Sequence, residues 1–324
     1  MAVQLPRIGM GCSALGNLYR AMSDAEAHEA VAAALAAGVM YFDTAPLYGF
    51  GLSEQRLGTA LAPKVSAPEA LVSSKVGRVL LPASATGMRD GFVDALPFEP
   101  VFDYSFAGVM TSHASSLQRL SRSRLNILLA HDLGAQTHGD HSAQMTAAFL
   151  EGGYLAMRQL RANGQIDAIG IGINETAICE ELLDAVELDV ILLAGRYTLL
   201  EQGALSLLDR CARMGVQVII GGPFNSGLLV EAEDLHYNYE KAPADIVAKV
   251  RALRAVCQEF GVPLPAAALQ FPAAHPAVSC VLPGLANGQQ VKQTLGWLDV
   301  DIPAQLWESL REAGLLSPAA PVSM

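Results

Sequence analysis

The sequence predicts an α/β protein with one domain, a (β/α)8 TIM barrel that spans residues 1–324. Short apolar runs, typical of buried strands, alternate with longer amphipathic stretches that are typical of helices. The alternation recurs along the whole chain without a break in composition. Repeated strand–helix units imply parallel strands with right-handed crossovers, and eight units in 324 residues fit one closed barrel better than two doubly wound domains.

An open Rossmann-like sheet is the alternative architecture. Its signature is a GxGxxG turn that opens a helix directly after the first strand. The corresponding run here is GMGCSALG, at residues 9–16, which has no such spacing and opens no immediate helix. This turn therefore argues against the open sheet.

The first half of the chain contains four of the predicted strand–helix units. The first strand is predicted at 7–11, and the helix after it begins at Ser23, whose side chain caps the first turn together with Glu26. That helix ends near Gly38. The next apolar runs predict strands at 39–43, 70–75 and 127–131, with helices at 53–61 and 106–120. A segment rich in Gly and Pro, 76–104, has no clear period and is predicted to be a long loop, of a length that is uncommon unless functional.

The second half repeats the same pattern after a polar loop at 134–141. The predicted strands are 166–173, 190–193, 216–220 and 278–282. The predicted helices are 145–163, 176–185, 205–214, 244–260, 266–271 and 289–298. We expect loop insertions at about 76–105 and 133–142 and a flexible tail at about 317–324.

Composition narrows the possible partners and the compartment. The net charge of −11 disfavours nucleic acid and anionic membranes. The five cysteines are scattered and form no CxxC pair, which argues against disulfides and a metal site and favours a reducing cytoplasm. No signal peptide and no membrane-spanning run is recognisable. We expect a cytoplasmic protein that acts on a small molecule, while its oligomeric state stays open.

Polar residues stand at the ends of four successive predicted strands. Asp43, Lys75, His131 and Asn174 would therefore meet at one mouth, where barrel enzymes place their active sites. An ion pair between Lys75 and Asp43 would stabilise the phenolate of Tyr48, so that this phenol acts as general acid or base. His131 would hydrogen-bond the reacting oxygen. Asp43, Tyr48, Lys75 and His131 are the predicted catalytic residues.

These motifs resemble the aldo-keto reductase family. The run GVMYFDTAPLYGFGLSEQRLG, the lysine in LVSSKVG and the histidine in LLAHD carry the resemblance, which extends over essentially the whole chain. FDYSFAGVMTSHASSLQRL and GGPFNSGLL resemble one branch, the pyridoxal 4-dehydrogenases and the L-fucose or D-threo-aldose 1-dehydrogenases. The resemblance implies a nicotinamide-dependent oxidoreductase with Tyr48 as proton donor or acceptor, and members of that branch oxidise a cyclic hemiacetal to a lactone.

The resemblance also implies where the cofactor binds. Asn174 is the candidate for the carboxamide, Phe224 could replace a tyrosine that stacks on the nicotinamide, and the backbone at 224–227 would suit the pyrophosphate. The complete set of predicted cofactor residues is Gly11, Cys12, Asn174, Pro223, Phe224, Asn225, Ser226, Gly284 and Gln290. Relatives that prefer NADPH carry Lys or Arg where this chain has Gly284 and Gln290, so we predict NAD, with NADP less favoured unless Lys292 reaches the 2′-phosphate.

The substrate is encoded less clearly. Candidate substrate residues are Phe50, His138 and Arg196, although Arg196 could equally form a salt bridge with Glu201 that holds its loop. A slot formed by the aromatic side chains Phe50, Phe92, Phe98, Phe102 and Phe106 would suit the flat ring of pyridoxal better than a sugar.

Several other functions remain open at this point. They are an aldose 1-dehydrogenase, an NADPH-dependent aldehyde or ketone reductase, a nicotinamide-sensing regulatory protein without turnover, and a barrel isomerase or lyase. The intact set of four catalytic residues argues against the sensor. The lack of a phosphate-binding GxG pattern near the last two strands argues against the isomerase.

Overall fold

Eight parallel strands form the centre of the protein, and they are hydrogen-bonded in the order of the chain. The computed structural model describes residues 3–62, 70–84, 87–230, 236–237 and 240–322. The strands, labelled β1 to β8, are Met10–Gly11, Tyr41–Asp43, Leu71–Val76, Ile127–His131, Ala168–Ile173, Val190–Ala194, Gln217–Gly221 and Val278–Leu282. Every neighbouring pair is parallel, as the repeated strand–helix units predict.

The first and last strands close the sheet into a barrel. Gly9 N donates to the carbonyl of Val281 over 3.1 Å, and Gly11 N donates to the carbonyl of Pro283 over 2.9 Å. Val281 N donates in return to the carbonyl of Arg7. The predicted (β/α)8 barrel is confirmed, and the open sheet is wrong because an open sheet would leave these two edges unbonded.

Helices follow the strands along the chain. The first helix has the predicted capping box, in which Ser23 Oγ accepts from Glu26 N and Glu26 Oε2 accepts from Ser23 N. The α-helices of nine or more residues are Asp24–Ala36, Leu52–Ala60, Phe106–Leu120, Tyr154–Ala162, Thr176–Ala185, Leu205–Met214, Ala244–Glu259, Leu264–Ala273, Gly288–Leu298 and Ala304–Glu312. Among the described residues, no helix combines the length and the apolar character that crossing a bilayer requires.

The segment predicted as one long loop, 76–104, contains a β-hairpin instead. Its strands Arg78–Pro82 and Phe98–Phe102 pair antiparallel, with Arg78 opposite Phe102. The prediction is wrong here because the two strands are far apart in sequence, so no tight-turn signal joins them. Pro82 and Pro100 also disguise the strand pattern, since proline in a sheet is restricted to edges and strand ends.

Other differences concern the helices. The predicted helix 145–163 is divided into Ser142–Ala148, a π-helical stretch Phe149–Gly153 and Tyr154–Ala162. The polar loop at 134–141 forms the short turns Ala135–His138 and Gly139–His141.

The end of the chain also differs from the prediction. The helix Ala304–Glu312 was not predicted, and it buries Leu306, Trp307 and Leu310. Within the segment 317–324, where a flexible tail is predicted, Ala320 is buried and its carbonyl accepts from Arg311. Residues 323–324 of that tail lie outside the described residues.

The core has an inner and an outer part, divided by the sheet. Alternate residues of the strands fill the barrel interior, as a period of two requires. The buried interior residues are Tyr41, Ile127, Leu129, Ala168, Val190, Leu192, Ile219, Cys280 and Leu282. The intervening strand residues pack outward against the helices in a larger cluster. The filled interior leaves the ends of the barrel as the places where polar side chains gather.

Candidate active site

Three predicted catalytic residues lie at the carboxyl ends of adjacent strands. Asp43 ends β2, Lys75 is the penultimate residue of β3 and His131 ends β4. The register pairs Asp43 with Ser73, so Lys75 lies one pleat nearer the mouth on the same face. The exposed fraction is 2 % for Asp43, 1 % for Lys75 and 7 % for His131. The strands therefore hold three ionisable groups together in a place that is largely shielded from water.

The Lys75 ammonium is the centre of the cluster. Its Nζ lies 2.7 Å from Asp43 Oδ2, 2.9 Å from the Thr44 carbonyl and 3.1 Å from the Tyr48 hydroxyl. Burial alone would lower the pKa of Lys75, but the charge of Asp43 and the contact with Tyr48 outweigh it and raise that pKa above its ordinary value. Lys75 therefore stays protonated and presents a permanent positive charge to the phenol oxygen.

Tyr48 is placed by an unusual turn after β2. It begins the 3-10 turn Tyr48–Gly51, in which Gly49 and Phe50 have left-handed backbone. Glycine is required at position 49, because a Cβ there would lie 2.5 Å from the Gly16 carbonyl oxygen. The Tyr48 ring is half-buried and meets the His131 ring edge-on, with 6.1 Å between the ring centroids. The structure thus brings all four predicted catalytic residues together.

Two further residues orient Asp43, and the sequence prediction missed them. Ser73 Oγ donates to Asp43 Oδ1 over 2.6 Å, and Ser73 and Tyr41 share a hydrogen bond of 2.8 Å. Both lie on strands inside the barrel and are fully buried. The available signal was the polar run Ser73-Ser74-Lys75 within an otherwise apolar strand, since a buried hydroxyl needs a partner.

A second charged group lies beside His131. Asp132 Oδ2 is 3.6 Å from His131 Nε2 and 2.8 Å from a terminal nitrogen of Arg78. Burial lowers the pKa of His131 well below its ordinary value, although the Asp132 carboxylate opposes this effect. His131 is therefore neutral near pH 7 and keeps one N–H for donation. Arg78 and Asp132 were not among the predicted site residues.

The turn Ala135–His138 forms a wall of the site next to His131. Tyr104 donates its hydroxyl hydrogen to the His131 carbonyl over 2.5 Å, and the same oxygen lies 3.1 Å from His138 Nε2. The His138 ring also meets the Phe102 ring edge-on at 4.5 Å between centroids. The predicted substrate residue His138 thus lies within the wall of the site, on the side of β4.

Glycines form the opposite side of the mouth. Gly195, Gly222 and Gly284 follow β6, β7 and β8, and a Cβ on Gly222 or Gly284 would have almost no atom within 4 Å. Next to them, the Asn225 side-chain oxygen is buried and has no hydrogen-bond partner among the described residues. Open space over successive strand ends together with an unused polar acceptor fits an extended dinucleotide beside the four predicted catalytic residues Asp43, Tyr48, Lys75 and His131, here called the tetrad.

Not every predicted cofactor residue lies in that region. Cys12 is fully buried, with its Sγ against the Met10 carbonyl, so its side chain is closed to a cofactor. The Phe224 ring packs edge-on against Trp297 of the outer helical layer, so its predicted stacking on the nicotinamide lacks support. Pro223 is buried. The physical reason is that a sequence position after a strand does not define which way a loop side chain turns.

Of the remaining predicted cofactor residues, Asn225 is buried and the others are at least partly accessible. Gly284 and Gln290 are exposed and Gly11 is half-buried. In the turn after β7, Asn225 N and Gly227 N already donate to carbonyls, which restricts the predicted pyrophosphate-binding amides to those of Phe224 and Ser226. Asn174 is half-buried, and its carbonyl accepts from Arg196 Nε.

Two predicted substrate residues, Phe50 and Arg196, make contacts within the protein. Phe50 is 1 % exposed and its ring lies under the Arg89 guanidinium, so it is closed to a substrate. Arg196 holds the backbone after β5 through its bond to Asn174. Of the predicted aromatic slot, Phe92 is also buried, whereas Phe102 and Phe106 remain exposed. Aromatic composition predicted an apolar surface here, but not which rings would be reachable.

The chain is similar to known oxidoreductases over nearly its whole length. The sequence model described as the aldo/keto reductase family matches residues 7–314. The chain is 40 % identical to pyridoxal 4-dehydrogenase of Microbacterium luteolum, with 96 % of this chain and 94 % of that protein covered. It is 37 % identical to D-threo-aldose 1-dehydrogenase of a Pseudomonas species, with 96 % and 95 % covered.

A solved structure agrees with the fold. A holo form of an aldo-keto reductase from Bacillus halodurans has a TM-score of 0.73 to this chain at 22 % sequence identity, and the match covers 100 % of this chain and 97 % of that one. At this identity the likeness concerns the barrel alone.

Proposed function

Because the chain belongs to the aldo/keto reductase family, we propose that this oxidoreductase is a cytoplasmic, NAD-dependent dehydrogenase that oxidises a cyclic hemiacetal to a lactone, with pyridoxal as the favoured substrate. The observation that carries the proposal is the contact of 3.1 Å between Lys75 Nζ and the Tyr48 hydroxyl. A phenol beside a permanent, buried cation serves as an acceptor for the proton of a substrate hydroxyl.

Each residue of the tetrad has a separate task in the reaction. Tyr48 as phenolate takes the proton from the anomeric hydroxyl, and Lys75 stabilises that phenolate. Asp43 holds the ammonium in place and Ser73 holds Asp43. Neutral His131 donates its N–H to the substrate oxygen and so orients the carbon that loses hydride. A bound NAD⁺ supplies the acceptor for that hydride.

The preference for pyridoxal has two supports. The first is the 40 % identity to a pyridoxal 4-dehydrogenase over nearly the whole chain. The second is the rim near His131, where the exposed ring of Phe102 and the ring of His138 offer apolar surface to a flat heterocycle. A hexose would depend more on side-chain partners for its several hydroxyls than on aromatic surface.

The preference for NAD also has two supports. Gly284 and Gln290 provide no cation for a 2′-phosphate at the positions where it would be expected. In addition, Gly288 N, at the first turn of the helix Gly288–Leu298, lies 3.4 Å from Glu29 Oε2. A helix N-terminus is a natural anion site, and this one already faces a carboxylate, which would repel a phosphate.

Initial rates of NAD⁺ reduction at alkaline pH test the proposal. The substrates are pyridoxal, L-fucose, D-arabinose, L-galactose and L-xylose, each measured with NAD⁺ and with NADP⁺. We expect the highest kcat/KM with pyridoxal and NAD⁺, and a loss of several orders of magnitude in Tyr48→Phe with NAD⁺ binding retained. Highest activity on a sugar would identify an aldose 1-dehydrogenase instead, consistent with the 37 % identity to such an enzyme. Full turnover by Tyr48→Phe would refute the role of that residue.

A further inference from the structure

Beside His131 lies an ion pair to which the mechanism above gives no task. Asp132, the next residue in the chain, has its carboxylate 3.6 Å from His131 Nε2. Arg78 holds the same carboxylate oxygen at 2.8 Å. The Arg78 side chain is 9 % exposed and that of Asp132 is 21 % exposed, so water screens the pair only partly.

The backbone of Asp132 is strained in a way that maintains this contact. Its φ is 53°, in the left-handed region that residues with a Cβ adopt uncommonly, although Asp enters it more readily than most. Asp132 N donates to the Gly172 carbonyl over 3.0 Å, which extends the pairing of β4 with β5 by one residue. Strain of this kind persists only where surrounding contacts maintain it, and it is concentrated at functional sites.

Arg78 is fixed from several directions. It begins the hairpin directly after β3, and its carbonyl accepts from Ser112 Oγ over 2.8 Å. Its guanidinium lies 4.4 Å from the Phe102 ring centroid. Its other terminal nitrogen is buried without a partner among the described residues. An orphaned buried donor is unfavourable for folding, so stability alone does not account for this arginine.

We propose that Asp132, clamped by Arg78, is a positioning residue that orients the ring of His131 and keeps its hydrogen on Nε2, where the 3.6 Å separation is too long for a hydrogen bond to the carboxylate and leaves that N–H free for the substrate oxygen. The inference rests on the proposed function, because it adds a residue to the orientation of the same substrate oxygen. A carboxylate beside an imidazole selects one tautomer and one ring orientation, as buried carboxylates do for other functional histidines. The positive charge of Arg78 offsets the negative charge of Asp132, so that the carboxylate orients the His131 ring without causing it to take up a second proton.

The balance of charges around His131 leads to opposite expectations for the two residues. The groups that face it are Asp132 on its own strand end, Arg78 on the hairpin, Lys75 on β3 and the Tyr48 ring after β2. Removing the arginine leaves the carboxylate unbalanced and raises the pKa of His131. Removing the carboxylate keeps the His131 ring neutral, but its orientation and its tautomer are then no longer fixed. A protonated His131 would slow oxidation, because a cation beside the substrate oxygen retains the electron pair that must form the new carbonyl.

Three variants test this arrangement in the full-length enzyme. Asp132→Asn removes the charge with little change in shape, and Arg78→Met removes the balancing cation. Glu99→Gln is the matched control, since Glu99 lies on the same hairpin with its carboxylate exposed and 4.0 Å from Arg89. For each protein we would measure kcat and KM from pH 5.5 to 9.5 with NAD⁺ and pyridoxal, and the affinity for NAD⁺ by fluorescence. The tautomer and titration of His131 would be followed by NMR of ring-labelled histidine, assigned with His131→Gln.

We expect kcat/KM to fall roughly 10- to 100-fold in Asp132→Asn with unchanged NAD⁺ affinity, and the His131 signal to show mixed tautomers. In Arg78→Met we expect His131 to titrate at higher pH than in the wild type and the acid limb of kcat/KM to move with it. The control should match the wild type. Wild-type kinetics and an unchanged His131 signal in Asp132→Asn and Arg78→Met would overturn the proposal.

The NMR measurement separates this proposal from the proposed function, because it needs no substrate. If the wild type oxidises none of the hemiacetals, the proposed function fails, and the His131 signal still decides whether Asp132 positions the ring. If Asp132→Asn does not fold, Arg78→Lys keeps the charge without the planar fork, and we then expect mixed tautomers without the shift in titration. An unchanged signal in that variant would contradict the clamp.

Discussion

The Lys75 ammonium is the contact on which the proposed chemistry depends most directly, and Lys75→Met tests it quantitatively. At an effective dielectric constant of about 20, a charge 3.1 Å from the Tyr48 oxygen stabilises the phenolate by about 5 kcal/mol. The negative charge of Asp43 opposes this stabilisation, because it repels the phenolate. The Lys75 ammonium lies 2.7 Å from the Asp43 oxygen and 3.1 Å from the Tyr48 oxygen, so these two oxygens are within about 6 Å of each other. At that distance the repulsion is about 3 kcal/mol by the same relation.

Two limits follow for the variant. If Asp43 stays ionised after the substitution, the phenolate loses the full attraction of about 5 kcal/mol, and if Asp43 takes up a proton it loses only the net of about 2 kcal/mol. We therefore expect kcat/KM for oxidation at neutral pH to fall between about 30-fold and several thousandfold, since about 1.4 kcal/mol corresponds to a factor of ten. The activity should recover in part as the pH is raised, because a larger fraction of Tyr48 then ionises without the positive charge of Lys75.

The assay is the initial rate of NADH formation from pH 6 to 10, with NAD⁺ binding measured separately by fluorescence. Lys249→Met is a matched control, because Lys249 Nζ is held by the Leu200 carbonyl and lies outside the tetrad. A Lys75→Met enzyme that binds NAD⁺ and keeps its kcat/KM within about threefold of the wild type, with an unshifted pH profile, would refute the assignment of Lys75.

Three further expectations concern the cofactor, acid stability and the hairpin. Gly284→Arg places a guanidinium in open space at the expected 2′-phosphate position, so kcat/KM with NADP⁺ should rise by about one to two orders of magnitude, as charge-assisted hydrogen bonds of about 1.5–3 kcal/mol imply. Burial lowers the pKa of His113. Its contribution to the free energy of unfolding is therefore complete above pH of about 6.5 and is lost as the pH falls towards the folded-state pKa. Urea unfolding of His113→Leu at pH 7.5 and 5.5 should therefore show a pH dependence weaker by up to about 1.4 kcal/mol per pH unit than that of the wild type. Gly77→Ala puts a Cβ 2.2 Å from the Tyr104 ring and should lower the thermal midpoint well beyond Gly87→Ala, whose φ is also positive but whose surroundings are open; equal midpoints would contradict the clash.

The sequence predicted the tetrad because its members obey local rules. A continuous apolar run defines a buried strand, and the polar residue that ends it must lie at the mouth of a parallel barrel. Asp43 and His131 each end such a run, Lys75 follows two serines in a strand that is otherwise apolar, and the structure places all three at neighbouring strand ends. The same rule predicted β4 and β8 with the observed bounds, because apolar residues predominate in both runs.

The parts that the sequence did not predict depend on contacts between distant segments or on a backbone conformation without a composition signal. Arg78 and Asp132 meet only because the hairpin pairs across a long separation, and nothing in the order of residues indicates the left-handed φ of Asp132. Cys12 and Phe224 were assigned from their positions after strands, but the direction of a loop side chain is decided by what packs against it. For Phe224 that neighbour is Trp297, which is far along the chain.

The room for the long side chain of Lys75 comes from β5, which carries Gly170 and Gly172. In β5 the isoleucines pack outward, and the inward positions after Ala168 are Gly170 and Gly172. A Cβ on Gly172 would lie 3.3 Å from Lys75 Cε, which is tighter than ordinary contact, and His131 is the residue paired with Gly172 across the strands. The long side chain of Lys75 therefore extends through space that a larger residue in β5 would occupy. Since strand register decides which residues face inward, a slip of one residue in β5 would put isoleucine against the ammonium. The alternation of glycine and isoleucine in β5, which turns the isoleucines outward, thus also leaves the space through which Lys75 reaches Tyr48.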